Sequence, residues 1–154
     1  MLVLEDDAEL SDDFSNNFIT ILKTLPKNWD IIFLGHFLYK NYDNDEYYFF
    51  KNNNALNEIK LELWDRDKCI ERSIGGTFSY LISRSGVDKM LQHIQDYGVY
   101  NGIDWVMFKL PNRNIYYCNP HLVFSTPAGT EHKKVDSDIQ YSITNMYKNG
   151  SDRL

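Results

Sequence analysis

Residues 1–10 read Met1-Leu2-Val3-Leu4-Glu5-Asp6-Asp7-Ala8-Glu9-Leu10, four apolar residues running straight into three consecutive acids. Leu2-Val3-Leu4 is a short continuous apolar run, the pattern of a strand covered on both faces. Side chains alternate along a strand, so Glu5 and Asp7 are expected on one side and Asp6 on the other. Two carboxylates ~4 Å apart repel by about 1 kcal/mol in water and about 4 kcal/mol at an effective dielectric of 20. Exposure to solvent relieves that repulsion, and so does a hard divalent cation, which takes oxygen ligands. Open α/β sheets bind ligands at the carboxyl ends of their strands. An acid cluster there is well sited to hold Mn²⁺ or Mg²⁺ against a nucleotide diphosphate. A phosphatase-type aspartate is disfavoured, because Ala8-Glu9-Leu10 supplies no hydroxyl soon after the acids.

Working outward, Ser11 is expected to cap a helix, with Asp12 and Asp13 in its first turn. Phe14, Phe18, Ile21, Leu22 and Leu25 recur at helical spacing until Pro26 stops the pattern. Trp29 to Gly35 reads as a second strand. Strand, helix and strand in about 35 residues make a βαβ unit, which implies a parallel pair and a right-handed crossover. Residues 36–74 change character, rich in Tyr, Asn and charge, and read as a hairpin-like insertion or loop region with weak alternation at Tyr47–Lys51 and Ile59–Trp64. Gly75 to Ser83 reads as a strand. Ser85-Gly86-Val87-Asp88 looks like a capping box, and Val87, Met90, Leu91 and Ile94 line one face of the helix after it. Gly102 to Met107 suggests a short helix, and Asn114–Cys118 and Leu122–Phe124 short strands. From Ser125 the chain is polar and punctuated by Gly and Pro. With no repeat and no linker, residues 1–154 are expected to form one α/β domain with a mixed, mainly parallel sheet.

The totals bound the function. A share of 43% hydrophobic and 25% charged residues is that of a globular chain with a real core. The net charge is −6 with no basic stripe, which argues against nucleic acid as a partner. Cys69 and Cys118 lack metal-ligand spacing and are expected as reduced thiols. No apolar run approaches the roughly 20 residues of a membrane helix, and no basic region opens a signal peptide. A soluble, cytoplasmic protein is expected. The triplet Asn149-Gly150-Ser151 reads as chance rather than as a glycosylation site.

Several strings together resemble glycosyltransferase family 25, which includes bacterial lipooligosaccharide and procollagen galactosyltransferases. They are Leu4-Glu5-Asp6-Asp7-Ala8, Trp29 to Gly35, Gly76 to Gly86, Ile103-Asp104, Pro120-His121-Leu122-Val123 and Ser137-Asp138-Ile139. The resemblance implies a GT-A-like three-layer fold and an inverting transfer of a hexose, often galactose, from a UDP-sugar to an acceptor hydroxyl, with Mn²⁺. It makes Glu5 and Asp7 the metal ligands and turns Asp6 to the nucleotide ribose. It makes Asp104 the base that takes the acceptor proton, a position that a helix N-cap also explains. It sets Asp138 near the donor or metal, where a solvated tail residue is the other reading. Gly75 and Gly76 would let backbone approach the nucleotide, or mark a turn before a strand. Trp105 and Tyr80 fit sugar stacking or the core. His132 lies where some related enzymes carry a late metal ligand, and His93 reads as a boundary residue.

In this resemblance a nucleotide-binding half precedes the acid cluster, whereas this chain begins at it. The chain is therefore expected to correspond to the metal and acceptor half of such a domain. Leu2-Val3-Leu4 is expected to present an open edge, and a homo-oligomer or a partner chain supplying the other half is expected. The competing function is a non-catalytic module that keeps the fold and binds carbohydrate or protein.

Overall fold

A computed structural model describes residues 1–38, 58–64, 74–75, 77–99 and 102–125. In chain order its elements are β1 (Leu2–Leu4), β2 (Glu9–Leu10), α1 (Phe14–Lys23), β3 (Ile31–Phe33), β4 (Phe37–Leu38) and β5 (Lys60–Leu63). They continue with β6 (Ile74–Gly75), β7 (Ser79–Ile82), α2 (Arg84–Tyr97), α3 (Ile103–Lys109), β8 (Ile115–Asn119) and β9 (Val123–Phe124). Five strands form the main sheet in the order β1-β7-β3-β8-β5, while β2 pairs with β9 and β4 with β6.

The α/β class holds, and the sheet is mixed. Its pairings are nevertheless mostly antiparallel: among the described residues only β3 and β8 pair in parallel, while β7 opposes both β1 and β3 and β5 opposes β8. The expected βαβ pair is corrected accordingly. β1 and β3 point the same way, but β7 is inserted between them. Local pattern identifies strands without saying which later strand will slip between two earlier ones.

Alternation along β3 builds three layers. Ile32 and Leu34 face one side, where Ile21, Phe14 and Phe18 of α1 pack with Leu81, Cys118 and Val123. Ile31 and Phe33 face the other, where Met90 of α2 and Val106 and Met107 of α3 pack with Trp64, Ile82 and Ile115. Each wholly buried aliphatic side chain contributes about 1.5–3 kcal/mol, so β3, buried throughout, is the centre of the core. Cys118 lies in the first layer as a free thiol whose pKa burial pushes up to about 12.

β1 is an edge strand of the main sheet, as expected, but Leu2 and Leu4 are respectively 39% and 42% exposed, so it is not covered on both faces. Helix starts also shift. Asp13, not Ser11, stands at the N-cap of α1, and no side chain caps it. The Ser11 hydroxyl is instead buried without a partner. At α2 the cap is Ser83, whose Oγ accepts from the Gly86 amide at 3.0 Å, so the capping box at Ser85 is displaced by two residues. Leu91 is solvent-facing on that helix, while Val87, Met90 and Ile94 pack inward. Ile59–Trp64, read as part of an insertion, supplies the edge strand β5 of the main sheet. Tyr47–Lys51 lies outside the described residues.

Two glycines are required by close approach. A Cβ at Gly35 would meet the Val123 carbonyl oxygen at 2.0 Å, and one at Gly86 would meet that of Asp30 at 2.4 Å. The first lets β9 cross the exit of β3, and the second seats the start of α2 on the sheet. Among the described residues no helix is long and apolar enough to cross a membrane.

Candidate active site

Because β1, β3 and β8 point the same way, their exits gather at one rim of the sheet: Glu5–Asp7, Gly35–His36 and Asn119–His121. The acids do not continue the strand. The Ala8 amide donates to the Glu5 carbonyl at 3.2 Å, closing a turn with Asp6 and Asp7 at its corner. The alternation expected for these three side chains therefore does not apply.

All three acids are exposed, and hydroxyls hold two of them. Thr77 Oγ1 donates to Glu5 Oε1 at 2.9 Å, and the buried Ser125 Oγ donates to Asp7 Oδ2 at 2.7 Å. The turn is pinned by the Glu5 amide donating to the Phe78 carbonyl at 2.9 Å, and by the β2–β9 ladder that follows it. Solvent and these hydroxyls relieve the mutual repulsion, which in water is only about 1 kcal/mol. Thr77 and Ser125 were not singled out from sequence, because their value comes from ladders joining segments far apart in the chain. Glu5 and Asp7 suit a hard cation in kind, as oxygen donors with one oxygen each outside these bonds. Among the described residues no group of three His, Cys, Asp or Glu is placed to hold a metal ion.

At the centre of the rim two imidazoles meet. The rings of His36 and His121 lie 4.2 Å apart, edge to face, and His36 also meets Trp64 at 5.4 Å and Tyr117 at 5.1 Å. Burial lowers the pKa of His121 to about 4. Burial and the neighbouring His121 hold His36 well below its ordinary value. Both are neutral at pH 7, and His36 Nδ1 is buried without a hydrogen bond. Sequence showed these residues separately, 85 positions apart, and only the parallel β3–β8 pairing joins them.

Asp104 is the second residue of α3, half-buried, with Gly102 rather than Asp104 as the N-cap. Its Oδ1 accepts from the Trp105 amide at 2.8 Å. Among the described residues no hydrogen bond or ion pair joins it to Glu5, Asp6 or Asp7. Trp105 is half-buried with Lys109 Nζ over its ring at 4.6 Å. Tyr80 packs on Phe33 at 6.4 Å, its hydroxyl pKa raised by burial and by the nearby Glu5 charge. Tyr80 thus belongs to the core and to the rim together. His93 is half-buried against Tyr97. Gly76, Asp138, His132 and Cys69 lie outside the described residues.

The opposite rim is structural. Asp30, 1% exposed, accepts from Ser85 Oγ at 2.8 Å, Lys89 Nζ at 2.6 Å and the Asn114 amide at 2.8 Å. Burial works to raise its pKa, but Lys89, the Asn114 amide and Ser85 outweigh it and leave the carboxyl below its ordinary value. This network ties β3, α2 and the approach to β8 at the entry ends of the strands, away from the acid turn.

No curated protein and no solved structure matches the chain. A family model described as "Glycosyltransferase family 25 (LPS biosynthesis protein)" matches residues 1–107, from the acid turn through α2 into α3. That match spans well over half of the 154 residues and includes the acid turn, β3, β7 and Asp104, so the chain belongs to glycosyltransferase family 25.

Proposed function

We propose that this glycosyltransferase chain moves a hexose, galactose in the first instance, from a UDP-sugar to an acceptor hydroxyl with inversion. In this reading Glu5 and Asp7 hold Mn²⁺ or Mg²⁺ at the donor diphosphate, and Asp6 faces the ribose. Gly76 and Asp138 serve the nucleotide side. Asp104 takes the acceptor proton, since a single in-line displacement requires a positioned carboxylate on the acceptor side. The cation supplies Lewis-acid neutralisation of the charge that gathers on the departing diphosphate. The observation carrying this reading is the exposed turn of three carboxylates, braced by Thr77 and Ser125, at the rim where α/β sheets take their ligands.

Calorimetry with UDP, with and without Mn²⁺, tests it on the wild-type chain and on Asp7→Ala. Metal-dependent binding that weakens at least tenfold in the variant is the expected result. UDP binding indifferent to metal and to Asp7 would remove the metal assignment, and no UDP binding by a folded chain would remove the transferase reading. The second reading, a binding module that keeps the fold, is favoured by the hydroxyl bonds that Thr77 and Ser125 already make to Glu5 and Asp7. Glycoside binding with no UDP binding would establish it.

A further inference from the structure

A cleft of about 380 Å³ opens at the rim opposite the acid turn. Three segments wall it: Lys27 to Trp29 in the turn before β3, Ser83 to Ser85 at the start of α2, and Asn114 on the approach to β8. Its floor is the Asp30 network, which takes a donor from α2 and another from the β8 approach. The walls are therefore tied to one another before anything enters.

Three cations and one carboxylate line this cleft, in a chain whose net charge is −6. The carboxylate is Asp30, only 1% exposed and already holding three donors. Lys89 Nζ spends two of its three N–H groups on Asp30 and on the Asn112 carbonyl. Arg84 meets the exposed Asp88 through Nε, and its two terminal nitrogens make no hydrogen bond among the described residues. Lys27 is exposed and makes no hydrogen bond or ion pair among the described residues. Ser83 Oγ accepts from the Gly86 amide and keeps its own proton to give. Ammonium, guanidinium and hydroxyl donors are thus open, while the charged acceptor is buried. That is the complement of an oxyanion: the guanidinium fork matches paired phosphate or carboxylate oxygens, and lysine adds a point charge. Trp29, half-buried in the same wall, sets an indole beside these donors.

We propose that this cleft is a second binding site, for a small organic oxyanion whose phosphate or carboxylate is held by Lys27 and Arg84 and whose organic body packs on Trp29. It lies the length of the strands away from the acid turn and stands independently of the transferase reading. Amide and indole NMR titrations test it on the wild-type chain, on the double variant Lys27→Gln, Arg84→Gln and on Asp7→Ala. The probes are phenyl phosphate and glucuronate, with inorganic phosphate and the neutral methyl β-glucoside as controls. Expected is saturable binding of at least one organic anion, with the largest shifts at the Trp29 indole and Asn114. That affinity weakens tenfold or more in the double variant and is unchanged in Asp7→Ala. Both substituted side chains are exposed, so the melting temperature stays as in wild type. No saturable binding of either organic anion overturns the inference, and so does an affinity unchanged in the double variant. Equal binding of methyl β-glucoside overturns it by making the charge irrelevant. Equal binding of inorganic phosphate overturns it as an adventitious ion only.

Discussion

Asp104 turns Oδ1 back to the Trp105 amide, which holds one oxygen still and steadies the other at the start of α3. A carboxylate so fixed is suited to receive a proton. Asp104→Asn keeps the amide contact through its side-chain oxygen and removes the basicity. The expected outcome is a loss of kcat of about a hundredfold or more with UDP affinity unchanged, read from steady-state kinetics beside calorimetry. Lys89 illustrates the other use of charge. It donates to Asp30, which is almost wholly buried, so Lys89→Met leaves that carboxylate with only its neutral donors. Removing one partner of a buried pair costs about 3–5 kcal/mol; Lys89 is itself 27% exposed, so about 2–3 kcal/mol is expected in urea unfolding.

At the scale of elements, the exits of β3 and β8 place the half-buried His36 against His121, which is almost wholly buried. In the unfolded chain both imidazoles protonate near pH 6.5, whereas in the fold His121 does so only at about 4 and His36 well below its ordinary value. Between these limits the unfolded state binds more protons, so stability falls as pH falls. Melting temperature is expected to hold above pH 7 and to drop as pH goes from about 6.5 toward 4. His121→Phe would flatten that slope; a profile unchanged by the substitution would contradict the origin given for it. β1 makes the second prediction at this scale. Glu5 donates to Phe78 and Ile82 donates to Met1, so the odd residues bond toward β7 and Leu2 and Leu4 point their amides outward. Among the described residues no strand pairs with that edge. Self-association through it is expected as a rise in mass with concentration by light scattering, and Leu4→Lys should abolish it.

For the whole molecule, the order β1-β7-β3-β8-β5 brings three strand exits to one rim and leaves the salt-bridged network of Asp30 at the other. The candidate site and the Asp30 anchorage are thereby separated by the length of the strands. Much of this was legible in the sequence. Apolar runs located β1, β3 and β7, helical spacing located α1 and α2, and an acid triplet after an apolar run marked the rim, because each is a pattern within a few consecutive residues. Membership of glycosyltransferase family 25 was legible for the same reason, as short strings in a fixed order. Tertiary structure alone decided the rest. It set β7 between β1 and β3, turned the acids out of the strand and joined Ser125 to Asp7. It also paired His36 with His121 and placed Glu62 across from Tyr117. Those relations depend on which ladders close between segments tens of residues apart. The free energy of such closure comes from burying β3 on both faces at once, a property of the assembled layers that no single stretch of sequence contains.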